Sequence, residues 1–285
     1  MTKSLDTLVE DIQRLFTEPH GANPELVKEF GETLSQTVAN RLNEVSGDRK
    51  PTLRMSNIGK GDRQLWYELH NDTSEREQFN ASTLIKFLFG DILEALLLYL
   101  AKEAGHTVEY EQGEVEVNGI KGHIDAIIDG EVVDVKSAST FAFKKFANGT
   151  LADDDPFGYM EQLAGYSKGT GDRPGAFLAI DKTLGHIALH RVPQAELASL
   201  EIENRIDHIK AVVGSDELPQ RCYPDQADGE SGNRKLGVNC SYCAHKFNCW
   251  SDANDGMGLR TFIYAKGPTH LTTVVKEPKV MEVTF

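Results

Sequence analysis

Asp129-Gly130 stands between two apolar, β-branched runs, Ile124-Asp125-Ala126-Ile127-Ile128 and Glu131-Val132-Val133-Asp134-Val135. Both residues tolerate the positive φ of a two-residue turn, so the pair is a strong short-range hairpin signal. With these two as the turn, the register follows. Ile128 opposes Glu131, Ile127 opposes Val132, Ala126 opposes Val133, and Asp125 opposes Asp134. Opposed residues share one face, with Cβ atoms about 4.5–5.5 Å apart. Alternation puts Lys136 on that face as well. The hairpin therefore presents two carboxylates and an ammonium in one small patch.

Like charges directly opposite are unfavourable unless something compensates them. A hard divalent cation held by oxygen ligands is the obvious candidate. A lysine beside such a pair can hold a water or a developing oxyanion. The alternative is a surface hairpin whose charges face water. The strands are too apolar on both faces for that, and three ionisable groups fall on one face by register.

The chain has 285 residues, 40% of them hydrophobic, enough for one large domain or two small ones. No run of 18 apolar residues occurs, so no membrane span is expected. Met1-Thr2-Lys3-Ser4-Leu5-Asp6 lacks the shape of a signal peptide, and a cytoplasmic protein is expected. The net charge of −14 argues against a bulk electrostatic binder of nucleic acid. A locally basic channel remains compatible with it, with binding that is weak, salt-sensitive or limited to substrate ends.

Residues 1 to about 50 read as helices. Leu5, Leu8, Ile12 and Leu15 form one stripe, stopped near Pro19; Val27, Phe30, Leu34, Val38 and Leu42 form another, from Pro24 to about Val45. Both stripes read as core or packing faces. Residues 83–104 are apolar nearly all round, as in a central buried helix, yet Glu94 sits in the middle. A charge there needs a partner. A metal shared with Asp125 and Asp134 supplies one; Lys86 or Lys102 is the alternative partner, and Asp91 the rival acid.

Val108–Val117 reads as one strand leading into the hairpin. Asp153-Asp154-Asp155-Pro156 signals a helix start. In that helix Gln162 and Tyr166, four apart, share a face. Ala176–Ile180 and Gly185–Val192 look like two further strands, and 194–213 like helix. All four cysteines lie after residue 221, as Cys222, Cys240, Cys243 and Cys249. In a cytosolic protein such clustering favours metal over disulfides. The Cys240-x2-Cys243 spacing lets two thiolates bind one metal from a tight turn. Four ligands within 28 residues suit a structural zinc site, with His245 to spare. Free thiols are the remaining reading. Leu271–Val275 and Val280–Phe285 are strand-like pieces, edge strands or a contact tail.

Gly122-x-x-Asp125 followed by Asp134-x-Lys136 resembles the signature of the PD-(D/E)XK nuclease superfamily. Arg63-x-x-Trp66-Tyr67, Phe89-Gly90-x-x-x-Glu94, Gln162-x-x-x-Tyr166 and the trio Cys240, Cys243, Cys249 resemble its RecB-like branch, which includes iron–sulfur CRISPR-adaptation nucleases and phage exonucleases. The resemblance spans about residues 55–250. It departs at Gly61, which or a close neighbour of which stands where the iron–sulfur members carry a cysteine; Cys222 is the cysteine left to replace it. The resemblance implies an α/β fold with a restriction-endonuclease-like core, a central mixed sheet flanked by helices, and a C-terminal cysteine segment. The implied organisation is a helical region over 1–54, a nuclease core over 55–215, a metal-cluster segment over 216–250 and a tail over 251–285.

It further implies a metal-dependent deoxyribonuclease, an exonuclease of phage, recombination or repair type. An endonuclease with the same site and a non-catalytic DNA-binding module are the alternatives. Glu94, Asp125, Asp134 and the Val135 carbonyl would hold Mg²⁺ or Mn²⁺. Lys136 would orient water, Gln162 would position Lys136, and Tyr166 and Arg63 would contact DNA. Cys222, Cys240, Cys243 and Cys249 would hold a [4Fe–4S] cluster. DNA is the implied partner, with a recombination or replication protein as a possible second.

Overall fold

The computed structural model describes residues 3–43, 51–71, 81–265 and 267–283. Met1, Thr2, Val45, Thr284 and Phe285, which figure in the expectations above, lie outside the described residues. The chain forms two compact units, one of Met1–Gly59 with Phe79–His208, the other of Lys60–Gln78 with Ile209–Phe285.

In chain order the elements are α1 Leu8–Thr17, α2 Pro24–Asn43, α3 Asp62–His70, α4 Ala81–Glu103, β1 Val108–Glu109, β2 Glu114–Val117, β3 Ile120–His123, β4 Ala126–Ile128, β5 Glu131–Ala138, α5 Thr140–Ala147, α6 Tyr159–Gly169, β6 Gly175–Asp181, β7 Ile187–Val192, α7 Gln194–Ser199 and α8 Ile202–Val213. There follow β8 Gln226–Ala227, β9 Arg234–Lys235, α9 Val238–Ser241, α10 Lys246–Cys249, β10 Arg260–Tyr264, β11 Gly267–Thr273 and β12 Glu282–Val283.

Among the described residues, the first unit has a five-stranded sheet in the order β1-β4-β5-β6-β7. The β4–β5 hairpin has the register the sequence dictates, Ala126 with Val133, Ile127 with Val132 and Ile128 with Glu131. Asp129 and Gly130 both have positive φ, as the turn requires. The β5–β6 pair is parallel and its neighbours are antiparallel, so the sheet is mixed as expected. Alternation splits β5 between two faces. Val133 and Val135 join Ala126, Ile128, Leu178 and Ile180 against Leu8, Ile12, Leu97 and Ala101 of α1 and α4. Asp134 and Lys136 point to the other face. There Phe146 of α5 meets Phe177 edge-on at 5.6 Å.

Two expectations need correction, and one is met by packing without burial. The strand expected over 108–117 is broken at Tyr110–Gly113, where Tyr110 and Gln112 take positive φ and Gly113 N–H donates back to the Tyr110 carbonyl. Helix α4 is not buried throughout: Leu97, Leu98, Leu100 and Ala101 are buried, whereas Ile85, Phe87 and Phe89 are exposed. Its 23 residues make it about 34 Å long, whereas the eight residues of β5 span about 26 Å, so the helix outruns its sheet. Helix α2 contributes no buried side chain. It holds to α4 through the Phe30–Tyr99 ring stack at 4.8 Å and the Arg41–Asp91 and Glu29–Lys102 ion pairs.

The second unit carries another five-stranded antiparallel sheet, ordered β12-β10-β11-β9-β8 among the described residues. The two strand-like pieces near the C-terminus thus belong to a sheet with Arg260–Tyr264. In the same unit Leu236, Trp250 and Ala253 pack together with Cys240 and Cys249 at their margin.

Candidate active site

The ladder of the β4–β5 hairpin ends at Ala126, and Asp125 lies just beyond it. There its Oδ2 accepts a 2.6 Å hydrogen bond from the Val135 N–H. Asp134 and Lys136 follow on the same face of β5. Lys136 Nζ lies 2.6 Å from Asp134 Oδ2, donates to Gln162 Oε1 at 3.1 Å and stands 4.4 Å from the centre of the Tyr159 ring. Gln162 Nε2 then donates to the Tyr166 hydroxyl at 2.9 Å. Tyr159, Gln162 and Tyr166 recur at i, i+3 and i+7 along α6, one helix face turned to Lys136. Gly122 makes room for this face. A Cβ there would meet Met55 Cβ at 2.4 Å and Tyr166 Cε1 at 2.9 Å.

Glu94 approaches from α4. Its Oε1 accepts from Gln112 Nε2 at 2.6 Å, a contact created by the break at Tyr110–Gly113. Two of the alternatives weighed for Glu94, Asp91 and Lys102, find other partners. Asp91 is held by Arg41 Nε at 2.9 Å, and Lys102 pairs with Glu29 and Glu111. Glu94 also opens onto a cleft of about 670 Å³ between α2 and α4, lined by Phe30, Thr33, Arg41 and Tyr99.

The electrostatics mark the three carboxylates as one group. Burial, then the Asp134 and Asp91 charges, raise the Glu94 carboxyl to about 7. Burial, then Asp134 and Glu94, push Asp125 well above the ordinary carboxylate range. Burial raises Asp134 too, against the pull of Lys136. Burial alone would lower Lys136, but Asp134 and Asp125 outweigh it and hold the ammonium above its usual pKa. Asp134 is 1% exposed; its Oδ2 meets the Lys136 ammonium, and its Oδ1 has no hydrogen-bond partner.

Among the described residues, no three His, Cys, Asp or Glu side chains are placed to hold a metal ion as they stand. The donor chemistry nevertheless fits a hard divalent cation. A buried Asp134 whose Oδ1 has no partner, beside two more carboxylates raised by burial and then by one another's charge, is what such an ion relieves.

The two expected substrate contacts have protein partners of their own. Tyr166 is 3% exposed and supports Gln162 through its hydroxyl. Arg63 belongs to the second unit, where it donates to the Pro219 carbonyl at 3.2 Å and lowers the Cys249 thiol pKa against its burial. Sequence reasoning gave Tyr159, on the same helix, no role and passed over Gln112. The helical spacing of Tyr159 from Gln162 was a usable signal; Gln112, in an irregular turn, offered none.

In the second unit, Cys222, Cys240, Cys243 and Cys249 all line one small cavity of about 30 Å³ together with Arg63 and Trp250. All four are free thiols. Burial, then neighbouring thiolates, raises Cys240 to about 11; burial lifts Cys243 to about 12 and also raises Cys249. Arg221 caps the group, donating to the Cys249 carbonyl at 3.0 Å and lying 4.0 Å over the Trp250 ring. The spare ligand His245 stacks on Tyr67 at 5.6 Å.

No protein-family profile matches the chain. No curated protein matches it either. Solved structures do resemble it. SSO0001 is 19% identical, with a TM-score of 0.39 over 77% of this chain and 94% of that one. An alkaline exonuclease (LHK-Exo) from Laribacter hongkongensis is 18% identical, with a TM-score of 0.42 over 63% of this chain and 92% of that one. The same exonuclease in complex with dAMP is 16% identical, with a TM-score of 0.37 over 56% and 92%.

Proposed function

We propose that this chain is a divalent-metal-dependent deoxyribonuclease of the PD-(D/E)XK type, acting as an exonuclease on DNA ends. The observation that carries the reading is the clamp on Lys136, with Asp134 at 2.6 Å and Gln162 at 3.1 Å, beside Asp125 and Glu94. A structural lysine on a strand needs no such company.

Glu94, Asp125, Asp134 and the Val135 carbonyl are the groups that would hold Mg²⁺ or Mn²⁺. When bound, the ion supplies Lewis-acid stabilisation of charge developing on the phosphate. Lys136 does the rest of the electrostatic work. Its raised pKa keeps it an ammonium at neutral pH, so it donates hydrogen bonds and does not act as a general base. It orients the attacking water and stabilises the equatorial oxyanion as the bridging P–O bond breaks. Gln162 fixes the ammonium through its carbonyl, and Tyr166 fixes Gln162. Tyr159 shields the ammonium from water and favours its charge through its ring face.

The thiol cavity is read as the seat of a [4Fe–4S] cluster, with structural Zn²⁺ as the alternative. Thiolate ligation suits both, and the group would staple the C-terminal segment without taking part in hydrolysis. The net charge of −14 keeps DNA affinity dependent on local contacts, which suits attack at ends. The test is incubation with linear and closed circular DNA in Mg²⁺ or Mn²⁺. Loss of linear DNA with circles spared supports the exonuclease. Cutting of circles replaces it with an endonuclease. Absence of any cleavage overturns the enzyme reading.

A further inference from the structure

Gly61 has no conformational reason to be glycine. It precedes α3 with φ −65° and ψ 148°, extended backbone open to any residue. What demands glycine is contact. A Cβ built on Gly61 would lie 2.4 Å from Cys222 Sγ and 2.6 Å from Cys222 Cβ. Real Cβ atoms essentially never come that close to another heavy atom, so a side chain at 61 would force Cys222 to shift from its present place.

The same numbers carry a second meaning. A carbon–sulfur bond is about 1.8 Å, so a cysteine at position 61 would carry its sulfur into the space the Cys222 side chain now fills. Cys222 reaches that space from a loop far along the chain, and there it lines the cavity shared by Cys240, Cys243 and Cys249. We propose that position 61 and position 222 are alternative origins for one thiol: Gly61 is the positioning residue whose missing side chain admits Cys222 as the fourth ligand of a thiolate-bound metal group. This rests on reading the four thiols as a metal centre. The geometry of the pair does not.

The experiment compares the wild type with Cys222→Ala, Gly61→Ala and the double variant Gly61→Cys/Cys222→Ala, all purified anaerobically. Iron and zinc per chain and the visible spectrum are read on each, with circular dichroism to confirm folding. The expected result is at least a fivefold loss of metal in Cys222→Ala and a clear loss in Gly61→Ala. The double variant should regain at least half the wild-type content. Iron with visible absorbance would identify a cluster, and zinc without colour a mononuclear site. Wild-type content in Cys222→Ala overturns the proposal, as does a folded double variant no better than Cys222→Ala.

A second arm separates the pair from the metal reading. Gly61→Cys with all native cysteines is treated with a thiol oxidant and digested. The Cβ atoms need to part by about 1 Å to reach disulfide spacing, about 3.8 Å. A 61–222 disulfide supports the shared position even if the wild type is metal-free, in which case the metal reading alone falls. If 61 and 222 do not link while other pairs do, the shared position is wrong.

Discussion

Replacing Glu94 by glutamine should stabilise the metal-free protein, and only at neutral to alkaline pH. Glutamine keeps the size of the side chain and its contact with Gln112, and removes the charge. The carboxyl moves from 4.5 to about 7 on folding, with burial as the first cause and the Asp134 and Asp91 charges behind it. At about 1.4 kcal/mol per pKa unit the ionised form costs the fold roughly 3 to 4 kcal/mol at most. The sign follows from a folded pKa above the unfolded one. Below pH 4.5 Glu94 is protonated in both states and costs nothing. From pH 4.5 to about 7 the unfolded chain ionises first, and stability falls; above about 7 the whole penalty is present.

Denaturant titrations in EDTA at pH 4.5 and pH 8.5 read this directly. Glu94→Gln should exceed the wild type by up to about 3 to 4 kcal/mol at pH 8.5 and nearly match it at pH 4.5. Excess Mg²⁺ should then favour the wild type, since binding at 100 times Kd adds about 2.7 kcal/mol to a protein that keeps all its ligands. A variant no more stable than the wild type at pH 8.5, or equally stabilised at both pH values, would refute the reasoning. Glu94 would then not share a desolvated patch with Asp134.

Gln162→Leu should lower kcat about 100-fold with KM little changed, because the Lys136 ammonium loses its second anchor and drifts from its working position. Steady-state kinetics on linear DNA would show the split. The same variant should lose about 1–3 kcal/mol in chemical denaturation, since the buried Tyr166 hydroxyl is left without its donor. Asp11→Asn should lower Tm at pH 7, because Lys3 and Thr7 hydrogen bonds and Arg14 hold the Asp11 carboxyl down at about 2. A folded pKa below the unfolded 3.8 gives stability present above pH 3.8 and lost as pH falls toward 2, so the Tm gap should close over that window.

The parts of the site legible in the sequence were those set by local rules. Asp-Gly fixed the hairpin, and the hairpin fixed which face of β5 carries Asp134 and Lys136. Helical spacing placed Gln162 beside Tyr166. Burial was less legible, because it depends on what lies opposite. The ring of apolar residues in α4 looked uniformly buried, but the sheet is shorter than the helix and leaves Phe87 and Phe89 exposed. Tyr166 looked like a substrate contact and is sealed under the sheet face, its hydroxyl spent on Gln162. Gln112 reaches Glu94 only because a turn interrupts a strand that alternation alone would have continued. Gly61 read as a missing ligand; in three dimensions it is the space that a thiol from residue 222 fills.

The central claim is that Lys136, clamped by Asp134 and Gln162 beside a carboxylate group, hydrolyses DNA with a divalent ion. The most direct measurement is cleavage of end-labelled linear DNA in Mg²⁺ by the wild type, Lys136→Met and Asp134→Asn, each checked for native circular dichroism. The account expects cleavage by the wild type, abolished by EDTA, and a loss of at least 1,000-fold in both variants, about 4 kcal/mol of transition-state stabilisation. A folded Lys136→Met or Asp134→Asn that cleaves DNA at a wild-type rate would contradict it.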